Sequence, residues 1–389
     1  MSKFKRSLLI GIISLMGVVL YGWVGVSQSR QPSVRLTTRP AISQITPFEA
    51  EATDRQMPVE LTLQAVNQSG QPVENAKLHL QMLTPAKTPW FTTDFPISEG
   101  TTLLEMEAQA PKGELKLQQM LPIRGTYKLQ VNVTPVAPNA FAPFQQTLTL
   151  AVPENGVKYR NLAVLVILLL TVGLGGGWVI GSKQPIQPGE LAPQRVRLLL
   201  SGLIVMAIAV LLFVNISAEL AQSQRSMAVS HGTEELPAAR QPAMLNVQEL
   251  EMKLSGDTDS TVGQLTSFQV RVMDTKTKQP ATDVGLRVTT TQLENNWVLF
   301  AYQGIPDRTG TLAWKQQFFD GAPHSIEVTA IPQKETQRSL QPLQVSQNIL
   351  VEGVAPPFLT RLISLAYFVG IVVVGLLIGS GLAGQLSTH

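Results

Sequence analysis

Four stretches of the chain, Leu8–Val26, Leu162–Ile180, Leu198–Ala218 and Leu362–Leu382, contain no Asp, Glu, Lys, Arg or His. Each is close to the ~20 apolar residues that an α-helix needs to cross a hydrocarbon core roughly 30 Å thick. Backbone inside lipid must satisfy its own polar groups, as a helix does, so the pattern predicts four transmembrane helices. Composition agrees: 44% of residues are hydrophobic and 15% charged, against about 25% charged in a soluble domain.

Lys3, Lys5 and Arg6 precede the first window, and Lys183, Arg195 and Arg197 lie between the second and third. Cationic short loops stay cytoplasmic, which places both termini inside and the long polar segments, residues 27–160 and 219–360, outside. This is the layout of an integral protein of a bacterial inner membrane with two periplasmic domains. The first window is read as an uncleaved anchor, because its apolar run exceeds that of a signal peptide and Val24-Gly25-Val26-Ser27 is a poor cleavage site. No ionisable residue lies inside the windows, which argues against a transporter. A net charge of +3 without a basic cluster argues against nucleic acid. The chain has no cysteine, so its domains fold without disulfides.

The chain is read as two parallel repeats of one unit: helix, linker, exported domain, helix. QPVENAKLHL (71–80) is answered by QPATDVGLRV (279–288), LTLQAVNQSGQP (61–72) by FQVRVMDTKTKQP (268–280), Trp90 by Trp297, and GTYKLQVNVTP (125–135) by APHSIEVTAIP (322–332). Apolar residues in each domain alternate, as in Val59, Leu61, Leu63 and Ala65, or Tyr127, Leu129, Val131 and Val133, which is strand periodicity. About seven short strands per domain, separated by turn signals, predict an all-β reading: two immunoglobulin-like antiparallel β-sandwiches. The predicted layout is an anchor at 1–26, a linker at 27–56, a sandwich at 57–158 and a helix at 159–182. A cytoplasmic loop follows at 183–197, then a helix at 198–218, a linker at 219–245, a second sandwich at 246–356 and a last helix with a short tail at 357–389. Both linkers read as flexible tethers.

A polar turn, QPVENAKLHL, a middle aromatic and a closing strand such as GTYKLQV or DGAPHSIEV together resemble the FixH/YtkA-like family of membrane-anchored, immunoglobulin-like exported domains. The resemblance covers about 75 residues of each domain. It implies an architecture similar to small copper-carrier sandwiches, and a role beside haem-copper oxidases or cation transport systems. Members of that family commonly have one anchor and one domain, whereas this chain doubles both. The histidine that the copper carriers place near the mature N-terminus has no counterpart in SQSRQPSVRLTTRP.

Chemistry-bearing residues are sparse. The four histidines are His79, His231, His324 and His389. His79 alternates with Leu78 and Leu80 on a polar strand face, where the second unit has Arg287; His231 lies in a predicted tether and His389 ends the chain. His324 shares its strand parity with Ile326, Val328 and Ala330 and stands where the first unit carries Tyr127. It reads either as a strand-end ring held by one hydrogen bond or as the candidate metal ligand, with copper as the metal. Otherwise no cofactor and no catalytic residue is expected: no nucleophile elbow is present, and Asp257, Asp259 and Asp274 fit turns better than a calcium loop.

Gly173, Gly177 and Gly181 recur at every fourth position, and Gly375 and Gly379 repeat the device in the last window. Small residues at that spacing let helix backbones approach closely in lipid, so these glycines are expected to pack the two returning helices together or against a partner. The expected function is a non-enzymatic scaffold or accessory subunit that meets a protein partner in the same membrane. A copper-handling protein and an envelope structural or adhesion protein are the alternatives.

Overall fold

The computed structural model describes residues 31–49, 56–88, 93–181, 193, 196–200, 202, 244–247, 250–333 and 343–386. The first predicted span, most of the third, His231 and His389 lie outside the described residues. The first half of the chain forms β1 (Ser33–Arg39), β2 (Val59–Val66), β3 (Ala76–Leu83), β4 (Thr102–Ala110), β5 (Glu114–Gln119), β6 (Gly125–Pro135) and β7 (Phe144–Val152), then helix α1 (Gly156–Gly181). The second half forms β8 (Met244–Val247), β9 (Leu250–Gly256), β10 (Asp259–Thr261), β11 (Leu265–Asp274), β12 (Val284–Gln292), β13 (Trp297–Gly304), β14 (Thr311–Gln317), β15 (Pro323–Pro332) and β16 (Leu343–Glu352), then helix α2 (Phe358–Leu386). The alternation seen in the sequence is the alternation of burial: along β3, Ala76, Leu78, Leu80 and Met82 are buried while Lys77, His79 and Gln81 face outward.

In the first half, β1-β2-β5 stacks on β7-β6-β3-β4, an immunoglobulin-like order. The hydroxyl of Tyr127, at the start of β6, donates to the carbonyl of Ile123 (2.7 Å) and accepts from its N–H (3.0 Å). This is the tyrosine corner that ties such sandwiches at one end.

The two halves are not separate sandwiches, and here the structure corrects the expectation. Sheet I runs β1-β2-β5-β13-β12-β15-β16-β10 and sheet II runs β7-β6-β3-β4-β14-β11-β9-β8, so each eight-stranded sheet passes through both halves. The joins are β5 with β13 (Leu117↔Tyr302, Gln118↔Ala301, Gln119↔Phe300) and β14 with β4 (Trp314↔Met106, Lys315↔Glu105, Gln316↔Leu104). An open sheet edge presents unpaired N–H and C=O groups; here each half supplies the partner strand for the other. One pair, β10 with β16, is parallel rather than antiparallel.

The halves match each other in register. Leu61 pairs with Leu117 as Phe268 pairs with Trp314, and Leu78 with Val133 as Leu286 with Ala330. The β3–β4 ladder shifts register between Met82 and Leu83, and the β12–β13 ladder between the corresponding Thr290 and Thr291. Gly113 and Gly310 occupy equivalent turns at φ of +66° and +74°, where a Cβ would come within 2.4 Å of the carbonyl oxygens of Val73 and Val272. Only glycine fits there. On this correspondence the second half exchanges the two layers: its counterparts of β1-β2-β5 lie in sheet II.

Residues 27–56 are not simply a linker. β1 pairs along its whole length with β2, and Val34, Ile45 and Phe48 are buried. Proline and polar residues obscure this segment in sequence, and its few apolar side chains find their partners only in the folded core. Phe48 packs its ring 5.1 Å from those of Trp297 and Phe319 and 5.7 Å from that of Phe95. The 89–95 segment thus sends Phe95 into a cluster joining both halves; residues 89–92 lie outside the described ones. Trp297, Leu299, Phe300 and Tyr302 of β13 are also buried. The second predicted linker gives up its last residues to β8, Met244–Val247.

Candidate functional site: a glycine-paired stem beneath the double sandwich

Both described helices are long and apolar enough to cross a membrane, and most of each lies outside the protein core. A soluble core helix would bury its apolar side chains; here Leu162, Ile167, Leu168, Leu365, Leu377 and Ile378 are exposed. Three helix hydroxyls bond within their own helices: Thr171 to the carbonyl of Ile167 (2.8 Å), Ser364 to that of Thr360 (3.1 Å) and Ser380 to that of Leu377 (3.0 Å). These side chains need no water, as a lipid-facing surface requires.

The helices meet along the glycine faces. A Cβ at Gly173 would lie 2.5 Å from the carbonyl oxygen of Val372 and 2.9 Å from Cα of Gly375. At Gly177 it would lie 2.1 Å from the carbonyl oxygen of Leu376, at Gly181 2.7 Å from that of Ser380, at Gly375 2.7 Å from that of Leu170, and at Gly379 2.2 Å from that of Leu174. All five therefore stand at backbone-to-backbone contacts. Dispersion, and not apolar burial, holds helices together in lipid, so the absence of side chains is what lets these two approach.

The stem joins the sandwich without a long tether. Asn155 caps α1, its Oδ1 accepting from the Val157 N–H (3.0 Å), while its Nδ2 donates to Oε1 of Glu49 (2.5 Å). Lys158, in the first turn, pairs with Asp94 and lies 4.0 Å from Glu49. Arg124 pairs with Glu154 just ahead of the helix. The Lys158–Asp94 pair, solvent-accessible on both sides, contributes about 0–1 kcal/mol; together these contacts set the direction in which the sandwich leaves the stem.

His324 lies at the same end, on β15, fully buried, its ring 4.7 Å from that of Phe318 and its Nδ1 2.7 Å from the carbonyl oxygen of Ala322. It takes the place of Tyr127, a ring whose polar tip is tied to nearby backbone. Burial lowers its pKa to about 4, against the weaker opposing effect of the Ala322 hydrogen bond, so Nδ1 is the donor on a neutral ring. Among the described residues no three His, Cys, Asp or Glu side chains gather as metal donors, around His324 or elsewhere. The unfolded chain takes up a proton near pH 6.5 and the folded one only near 4, so the unfolded state binds more protons between these values. Stability is therefore full above about pH 6.5 and falls as pH drops towards 4, by on the order of 3 kcal/mol for this group. Acid unfolding followed at several pH values is expected to show this slope, and His324→Tyr to flatten it; an unchanged slope would rule the assignment out.

His79 lies on the outer face of sheet II, beside an open groove of about 380 Å³ that crosses the junction of the halves. His79, Glu105 and Glu107 line it from one half, and Asp257, Gln269 and Lys315 from the other. Glu105 lies between Lys315 (3.2 Å) and His79 (3.9 Å). Periodicity placed His79 outward; it carried no signal for a groove shared between residues so distant in sequence.

No family model matches the chain, and no curated protein matches it. Among solved structures, the CARDB domain of PF1109 from Pyrococcus furiosus aligns at 13% identity over 27% of this chain and 94% of that one, with a TM-score of 0.21. FetP of uropathogenic Escherichia coli strain F11 aligns at 10% identity over 30% of this chain and 97% of its own, with a TM-score of 0.21. The adhesin InvE of Yersinia pseudotuberculosis aligns at 11% identity over 83% of this chain and 61% of its own, with a TM-score of 0.19. Similarities this low carry nothing about ligand or activity; the immunoglobulin-like order rests on the strand pairing and the tyrosine corner.

Proposed function

We propose that this chain is a non-enzymatic integral membrane protein whose double sandwich is held close to the bilayer as a scaffold or accessory subunit of a membrane complex. The observation that carries this reading is the union of a glycine-paired stem with a β-body whose two sheets run unbroken through both halves. Such a body can present a fixed surface to a neighbour, whereas two tethered domains could not. The reading includes four spans, both termini in the cytoplasm and the β-body on the periplasmic side of a bacterial inner membrane. The shared register of the halves supports an internal duplication, and the immunoglobulin-like order is compatible with a FixH/YtkA-like ancestry.

The test is purification of the tagged full-length protein in mild detergent, with quantitation of co-purifying subunits and bound metal. A stoichiometric partner with its own membrane spans is the expected result. Recovery of the protein alone, from cells in which a chemical cross-linker also traps no neighbour, would overturn the accessory reading. One copper per chain would replace it with metal handling.

A further inference from the structure

Large apolar side chains exposed outside the helices are few among the described residues, and all lie at one end of the sandwich. They are Met57 (79% exposed), Leu350 (50%), Ile42 and Val354 (46% each) and Leu293 (38%). Ile42 follows the end of β1 and Met57 precedes the start of β2; Leu293 follows β12; Leu350 and Val354 flank the end of β16. The ladders fix the level of each. Gly125 pairs with Val152, Leu83 with Lys128, Gln119 with Val59, Gln292 with His324, and Pro323 with Leu350, so all these termini share the end from which α1 and α2 leave. The opposite end is built of turns such as Asn67-Gln-Ser-Gly and Thr275-Lys-Thr-Lys and exposes no large apolar side chain among those described.

The height of this end above the lipid can be bounded. Three residues separate β7 from α1, so the four steps from Val152 to Gly156 reach about 14 Å at most. Lys158 meets Asp94 and approaches Glu49, which brings two loops beside the first turn of α1. Lys158 precedes Leu162, where the uncharged window begins, by four residues, or about 6 Å of helix. The polar layer on each side of the hydrocarbon core is itself about 5–8 Å deep. Tyr159, 61% exposed, lies in the same turn, and tyrosine favours that layer.

We infer that the helix end of the sandwich is seated in the membrane interface, with Ile42, Met57, Leu293, Leu350 and Val354 facing the boundary between headgroups and acyl chains. The occupant is lipid, because the patch continues the apolar surface of the stem, where Leu162, Leu168 and Leu365 are exposed. Apolar contact is the interaction that these five side chains supply. The inference rests on the reading that α1 and α2 span the bilayer.

The chain has no cysteine, so single cysteines can be labelled uniquely. Met57→Cys, Leu293→Cys and Leu350→Cys in the full-length protein, each carrying an environment-sensitive fluorophore, are reconstituted into phosphatidylcholine vesicles. Shallow or deep nitroxide lipids are then added. The expected result is a blue-shifted emission at all three sites, lost on adding the shallow nitroxide, with Ser69→Cys at the far end unaffected. Labels at 57, 293 and 350 that are as water-exposed as the one at 69, or blue-shifted but untouched by either nitroxide as beneath a protein, overturn the inference. Leu168→Cys in α1 separates the two readings: quenching there by the deep nitroxide shows that the stem is inserted, and its absence overturns the membrane span itself.

Discussion

The double variant Gly177→Ile/Gly375→Ile is expected to pull the two stem helices apart. At each position the first carbon of a side chain would fall 2.1 Å or 2.7 Å from a carbonyl oxygen of the other helix, and backbone cannot retreat as a flexible side chain could. Overpacking of this kind costs about 1–3 kcal/mol per site and occasionally more, whereas isoleucine is a better helix former than glycine by a few tenths of a kcal/mol. Each helix should therefore persist while the pair opens. A reporter is available in Gly176→Cys with Leu376→Cys, since a Cβ at Gly176 would lie 3.1 Å from Cδ2 of Leu376. Oxidative cross-linking of that pair, read on a denaturing gel after cleavage at a protease site placed within residues 219–245, is expected to fall about tenfold or more in the double variant, as 1.4 kcal/mol or more of lost association implies. Gly175→Ile is the control, because nothing lies within 4 Å of a Cβ there. Equal cross-linking in all three would show that the glycine contacts do not hold the stem.

Phe48→Ala is expected to cost about 3–5 kcal/mol, the range for truncating a buried Phe. Phe48 is 2% exposed and touches aromatic rings from both halves, edge-on to Trp297 at 5.1 Å. Its loss should weaken the junction as a whole, because Phe95, Trp297 and Phe319 share one cluster with it. Urea unfolding of the full chain in detergent micelles, followed by tryptophan fluorescence, measures the difference. Ser43→Ala nearby, at an exposed residue, is expected to stay within about 0.5 kcal/mol. A Phe48→Ala loss as small as that would mean that residues 40–48 lie on the sandwich without holding it.

Several elements could be read from sequence because their signals are local. Period-two alternation marks β2, β3, β6 and β15, and uncharged length marks α1 and α2. The spacing-four glycines could also be read, since the side chains that would prevent close approach are absent from the sequence itself. Other parts could not. β1 and Phe48 lie in a segment whose composition resembles a tether, and what buries them comes from residues 59–66, 95, 297 and 319. Burial of His324 followed from its parity with Ile326 and Val328, but the partner at Nδ1 depended on how the 318–322 turn folds back.

By itself the sequence determined the kind of the regularly patterned elements, the face such strands bury and the pairing faces of the stem, because backbone geometry converts spacing directly into direction. Only the tertiary structure decided that two β-units would share two sheets. That outcome depends on Leu117–Gln119 finding Phe300–Tyr302, and Leu104–Met106 finding Trp314–Gln316. Hydrogen bonding between strand edges is backbone chemistry common to all residues, so sequence alone does not say which edges will meet. Likewise only the fold collected Ile42, Met57, Leu293, Leu350 and Val354 at one end, because strand direction and ladder register, not proximity in the chain, bring their levels together.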